Sequence, residues 1–393
     1  MITKNTLKVA AALIAGFSAL TTVNAADVNE NVRLNFSAKV SAEYNDNIYL
    51  NTADKVDDVI LHFIPATKLS LGSEVAESSF NVSLSEDFSY YLDHDQNNTQ
   101  NTHLNAVYSY SGAKLKATAS VGYDMMSQNS ARDHFARAAR RGNIIRYDTW
   151  YARADGDYQL TSKLSTTAGL GYTGKRYRNH RDSYADSQSY TVPVSLLHTL
   201  VTEKIRGGLS YQYTYTDLSR YNGNMPLGYT ETHFVGFNVQ GVVDEKLNLN
   251  VRVGSSTISY HRRYDNRSSS STLSFLGTVN YKATEKTNAS LTFNRDFEIS
   301  GTAQSIKATG VTLRLTHNVD SKWSFNESVS WVNDDYVSAD RKDNIYTLSA
   351  GASYRMNDYL TLGASYKFQW NDSDVSEMSY TNNVLTLSAT ANF

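Results

Sequence analysis

From Val32 to Phe393 the chain alternates apolar and small polar residues in runs of 10–16, and helical periodicity is almost absent. A period of two means strand, with successive side chains on opposite faces. Leu385, Leu387, Ala389, Ala391 and Phe393 share one face of the last run, against Thr386, Ser388, Thr390 and Asn392. Leu360, Leu362, Ala364, Tyr366 and Phe368 stand in the same way against Thr361, Gly363, Ser365, Lys367 and Gln369. So do Leu247, Leu249, Val251 and Val253 against Asn248, Asn250 and Arg252. Strands of soluble sandwiches average about 5–6 residues, and these runs are about twice that. Strands of roughly 9–11 residues or more, apolar on one face and small-polar on the other, are those of a transmembrane barrel with lipid outside and water within.

The connections alternate between short and long. Short ones repeat a Thr/Asp-x-Lys pattern at Thr161, Thr202, Asp244, Thr284 and Asp320, with further turns at Gly72 to Ser78, Ser111 to Ala113 and Met356 to Asp358. Between them lie longer polar segments: Asn45 to Asp58, Asp93 to Asn101, Ser127 to Asn143, Lys175 to Asp186, Asp217 to Gly228, His261 to Ser268, Ser300 to Ala303, Asn333 to Asp343 and Asn371 to Glu377. Short turns at the periplasmic rim and long loops at the extracellular rim are the outer-membrane arrangement. This predicts an all-β fold, a single antiparallel up-and-down barrel of eighteen strands, or sixteen if one long strand has been split. Tyr158, Tyr211, Tyr213, Tyr281, Tyr354, Tyr366, Trp323 and Trp331 fall on the lipid-facing parity, as aromatic girdles require. The terminal Phe393 closes an alternating strand, the pattern of chains handed to the barrel assembly machinery.

Lys4 and Lys8 flank an apolar run from Val9 to Leu20, followed by Val23-Asn24-Ala25. That run is too short to span a bilayer as a helix. Residues 1–25 are therefore read as a removed signal peptide and residues 26–393 as the barrel, placed in the outer membrane of a Gram-negative bacterium. The absence of Cys excludes disulfides and thiol chemistry. With 37 basic and 39 acidic residues, overall charge gives no reason to expect nucleic acid. No paired His at metal-ligand spacing, phosphate loop or nucleophile elbow is present, so no catalytic residue, metal or cofactor is assigned. Asp93-x-Asp95-x-Asn97 imitates the start of a calcium loop, but Asn98 and Leu104 replace the required Gly and Glu.

Eighteen strands close to a diameter of roughly 35–40 Å, too wide for side chains alone to fill. Following the inward parity places Lys68, Lys116, Arg153, Arg206, Arg252, Lys282, Arg314 and Arg355 on the pore wall, with Asp155 and Asp157 interrupting the ring. Such a lining favours an anionic solute, although any wet lumen carries charges. At the extracellular mouth, Arg137, Arg140, Arg141, Arg176, Arg178, Arg262 and Arg263 gather in loops three, four and six. They suit either an acidic sugar or the phosphates of lipopolysaccharide. Ser130 to Arg141 has helical spacing, as a constriction or a cover. Loops one, eight and nine are acidic and meet where the barrel closes.

The first predicted strand, Val40-Ser41-Ala42-Glu43-Tyr44-Asn45-Asp46-Asn47-Ile48-Tyr49-Leu50, resembles a signature of the outer-membrane β-barrels of exopolysaccharide and capsule secretion loci. The resemblance implies a passive, non-enzymatic exit for a polysaccharide, acidic if the basic lining selects it, made by an inner-membrane synthesis system. It also implies a periplasmic or outer-membrane polysaccharide export protein as partner. The expected barrel is monomeric and surrounded by outer-membrane lipid and lipopolysaccharide. A general or sugar-specific diffusion porin is the alternative, ahead of a surface enzyme or an adhesin.

Overall fold

A computed structural model describes residues 26–29, 31–72, 77–128, 144–179, 183–200, 204–220, 224–262, 269–337 and 339–393. A short strand β1 (Ala26–Asn29) leads into β2 (Val32–Asn45), followed by β3 (Asp58–Leu71), β4 (Ser78–Tyr91), β5 (Thr99–Ser111) and β6 (Leu115–Gln128). Then come β7 (Ile145–Gln159), β8 (Leu164–Tyr177), β9 (Asp186–Thr199), β10 (Ile205–Arg220), β11 (Met225–Val242) and β12 (Leu247–Arg262). The chain ends with β13 (Ser269–Lys282), β14 (Thr287–Ile299), β15 (Ser305–Asn318), β16 (Trp323–Tyr336), β17 (Lys342–Arg355), β18 (Leu360–Ser373) and β19 (Tyr380–Asn392). Among the described residues each of β2 to β19 pairs antiparallel with its neighbours in sequence, and β19 returns to β2. The result is a closed barrel of eighteen strands, not sixteen. Residues 1–25, read from the sequence as a signal peptide, lie outside the described residues.

Lipid exposure is visible in the side chains. Leu196, Leu209, Phe237, Val253 and Phe275 form one row across five outward faces. Leu170 is 65% exposed and Phe237 63%, values that suit a hydrocarbon surround and not water. Aromatic rings border this band. Trp323 and Tyr354 meet at 4.8 Å near the short turns, and Tyr346 and Trp370 at 5.1 Å towards the long loops. Tyr172, Tyr190, Tyr215, Tyr229 and His261 make a continuous outer chain with centroids 4.5–6.3 Å apart.

The recurrent turn motif has a hydrogen-bond origin. Thr161 Oγ1 accepts from the Lys163 and Leu164 amides, Asp244 Oδ1 from Lys246 and Leu247, and Asp320 Oδ1 from Lys322 and Trp323. One side chain thus satisfies two backbone donors that a tight turn would otherwise leave free. The expected loop from Asp217 to Gly228 is mostly strand. β10 and β11 run on to Arg220 and from Met225, with a register shift after Leu218 and a positive φ at Gly228 that absorb the irregularity.

The closing seam is clasped by the very residues of the signature segment. Asn45 Oδ1 accepts the Asn47 amide, and the buried Asn47 side chain donates to the carbonyls of Asn51 and, across the seam, Thr381. Asp46 accepts from the Asn383 amide at 2.6 Å, from its side chain at 2.7 Å, and from Lys55 at 3.2 Å. At the other end, Phe393 and Phe36 exchange backbone hydrogen bonds. Burial alone would raise the Asp46 carboxyl, but the Asn383 and Lys55 hydrogen bonds together hold it below its usual value. The stabilisation is therefore present above about pH 4, the ordinary Asp value, and is lost as pH falls further. Hydrogen exchange at the Asn383 amide, corrected for intrinsic rates, should accelerate below that pH. Asp46→Asn should show the faster rate already at neutral pH.

One wall seam is laddered over only part of its length. β13 and β14 pair from Phe275 with Arg295 to Lys282 with Asn288. Towards the long loops, side chains take over: Arg295 donates to Thr272 and Ser274 to Asp296 across the seam.

Candidate functional site: the lumen wall

Strand parity and register turn all eight basic wall residues inward. Lys68 lies between Asn35 and Ser83. Lys116, Arg153 and Arg252 line a cavity of about 630 Å³ against the wall from β6 to β13, together with Gln212, Asn238, Gln240 and Asn250. Arg206 sits just below it, in a niche shared with Lys116 and Asp157. Lys282 and Arg314 face a second hollow of about 560 Å³ beside Asn248, Asn280 and Asn288. Arg355 occupies the periplasmic end of β17, opposite Thr361. Arg33, Lys39 and Lys367 also face inward. Their parity is readable in the sequence by the same alternation that places the other eight.

The positive lining is partly neutralised. Arg153 is chelated by Asp155 at 2.5 and 2.9 Å. Arg206 reaches across two strands to Asp157 at 2.9 and 2.5 Å and also donates to Ser165. Arg252 makes no such pair. Its guanidinium lies 4.3 Å over the Phe234 ring and donates to Gln212 at 2.7 Å.

Next to this shelf the wall is lined by small residues. Ser195, Ser210, Gly236, Gly254 and Ser274 form one inward row across β9 to β13. A Cβ on Gly254 would meet the Val235 carbonyl and stand 2.6 Å from Gly236 Cα. Only glycine lets the two backbones approach so closely.

The extracellular half of the wall from β2 to β6 is different. His62 Nδ1 meets Asp87 at 3.0 Å and Ser89 Oγ at 3.1 Å, and His103 Nδ1 meets Asp124 at 2.9 Å. The Ser, His and Asp side chains do not form a nucleophilic relay. Both partners crowd one ring nitrogen, whereas a relay needs the hydroxyl on the other. Nε2 of His62 has no hydrogen-bond partner, and Glu43 lies 3.9 Å from it. His233 faces outward and meets the Tyr211 hydroxyl at 2.9 Å.

At the mouth, Arg176 and Arg178 lie on the outward parity of β8. Arg178 donates to Asp148 at 2.8 Å and to the Tyr123 hydroxyl at 3.1 Å. They face the surrounding leaflet and not the lumen, because strand alternation continues past Tyr177. Arg137, Arg140, Arg141 and Arg263, the Arg262 side chain and the expected helix from Ser130 to Arg141 lie outside the described residues. The acidic loops are built structures more than solvated faces. Asp58 is fully buried and accepts from the amides of Leu92, Asp93 and His94 and from the His94 ring. Asp95 to Asn97 form a single 3-10 turn, with Asn97 donating to the Tyr49 hydroxyl.

Residues 235–393 match the family model described as "Putative beta-barrel porin 2". No curated protein matches the sequence. Among solved structures, Pseudomonas aeruginosa OpdO is 11% identical, with a TM-score of 0.50 over 93% of this chain and 98% of that one. The P. aeruginosa outer membrane protein opdK is 9% identical, with a TM-score of 0.49 over 92% and 99%. The siderophore receptor PiuA from Acinetobacter baumannii is 9% identical, with a TM-score of 0.46 over 92% and 82%. The likeness to OpdO is one of fold.

Proposed function

We propose that this eighteen-stranded barrel is the passive outer-membrane exit for an acidic exopolysaccharide delivered by an inner-membrane synthesis system. The observation that carries the reading is the lumen wall: cations spread from the periplasmic rim to mid-height, interleaved with Gln212, Asn238, Gln240 and Asn250. Cations raise the local concentration of a polyanion. Amides exchange hydrogen bonds with sugar hydroxyls as readily as with water, so a glycan can slide without being trapped. The signature resemblance points the same way. No chemistry or energy source is assigned to the barrel, and a periplasmic or outer-membrane export protein completes the path.

A clean deletion strain, grown under biofilm-forming conditions with released and periplasmic polymer assayed separately, tests this. The expected result is loss of released polymer with accumulation inside, both reversed by the intact barrel. Unchanged pools would exclude export under those conditions. The second reading, a diffusion porin for small solutes, is favoured by the facing charges of Arg153 with Asp155 and Arg206 with Asp157. Steady small-solute conductance with unchanged polymer pools would support it.

A further inference from the structure

We propose that Arg252 and the amides around it form a binding subsite for the carboxylate of a uronic-acid sugar unit. The biological ligand rests on the export reading above; the site itself rests on geometry. Arg252 is half-buried and forms no ion pair among the described residues, unlike Arg153 and Arg206. The Asp296 carboxylate makes no ion pair with it and is held by Ser274 at 3.0 Å and by the Phe297 amide at 2.8 Å. A cation withdrawn from water without a counter-ion is costly, and an anion entering the cavity relieves that cost. Lys116, on the same cavity, is exposed and solvated and needs no such partner.

The surroundings narrow the class of anion. Arg252 Nε and Asn238 Oδ1 both lack hydrogen-bond partners, and the two residues stand directly opposite each other on β12 and β11. Those two atoms are closed off from the cavity, and a ligand there meets the rest of the guanidinium beside the amides of Gln240 and Asn250, a set that fits a carboxylate next to hydroxyls. A uronate presents both, whereas chloride or sulfate offers no hydroxyl. Gln212 fixes the guanidinium plane, Phe234 supports its face, and the cavity of about 630 Å³ has the volume of an ordinary small-ligand site.

The test uses the full-length mature barrel refolded into planar bilayers, with oligogalacturonates of defined length as probe and malto-oligosaccharides as the neutral control. The wild type should show oligogalacturonate blocking events that the neutral oligomers do not produce. Arg252→Gln should shorten or weaken them about 10- to 100-fold, with Arg252→Lys intermediate. Lys322→Gln removes the same charge from an exposed short turn outside the cavity and should change the block no more than about 3-fold. Heat-modifiable migration on gels verifies that each variant is folded. Equal losses in the Arg252 and Lys322 variants, or equal block by neutral oligomers, would overturn the site. Arg252-dependent block together with normal secretion in the deletion strain would retain the site and remove the export reading. Lost secretion restored fully by Arg252→Gln, with no block in vitro, would do the reverse.

Discussion

Gly254→Val is expected to yield no heat-modifiable barrel on refolding, and Gly236→Val the same. Added Cβ atoms there collide with backbone, which cannot rotate away as a side chain does. From Gly254 they meet the Val235 carbonyl and Gly236 Cα, and from Gly236 the Val253 carbonyl and Gly254 Cα. Relief requires pulling β11 from β12, which breaks ladder hydrogen bonds on both sides of the contact, and on the lipid face no water replaces them. The cost exceeds the usual overpacking range of about 1–3 kcal/mol. Gly156→Ala is the matched control. Its Cβ would find nothing nearer than 3.9 Å, so the variant should fold like the wild type and show that glycine content as such is not what matters.

Arg341→Met is expected to destabilise the folded barrel by about 3–5 kcal/mol, the usual consequence of leaving one member of a buried ion pair alone. Arg341 and Asp343 are 1% and 0% exposed. Arg341 Nε donates to Asp343 Oδ1 at 2.9 Å, and the guanidinium packs 4.5 Å over Tyr336. Without Arg341, the Asp343 carboxylate keeps the Ser373 hydroxyl at 2.6 Å but loses its charge partner. The double variant Arg341→Met, Asp343→Leu should recover much of the loss, because the carboxylate that the single variant strands is then gone. Denaturant unfolding of refolded protein in a fixed lipid, with all four members of the cycle compared, measures the coupling.

The alternation that made the strands legible also made the lumen legible, since a strict period of two assigns each residue to water or lipid as soon as one apolar neighbour is placed. Lys68, Arg252 and Arg314 needed nothing more. Their electrostatic state did, because it depends on register between strands. Arg206 and Asp157 are 49 residues apart and meet only through the alignment of β7 to β10. A cation count therefore overstated the free charge on the wall. Arg176 and Arg178 read as loop residues by composition, and they follow the parity of β8 at the mouth. The clasp was hidden for a topological reason. Asn47 and Thr381 are 334 residues apart, and only closure of the cylinder makes them neighbours.

The partly laddered seam between β13 and β14 sets where the cylinder yields. A closed barrel resists widening through hoop tension, carried from strand to strand by the backbone hydrogen bonds across each seam. Between β10 and β11 that tension is shared along nearly the whole strand length, from Ile205 with Gly241 to Arg220 with Met225. Between β13 and β14 it ends at Phe275 and Arg295, and beyond them it passes through the side chains of Arg295 and Ser274. Side-chain bridges rotate and exchange partners at far smaller strain than a ladder. A bulky chain segment pressing outward would therefore widen this cylinder asymmetrically, at the extracellular end of one seam, while the periplasmic ring kept its circumference.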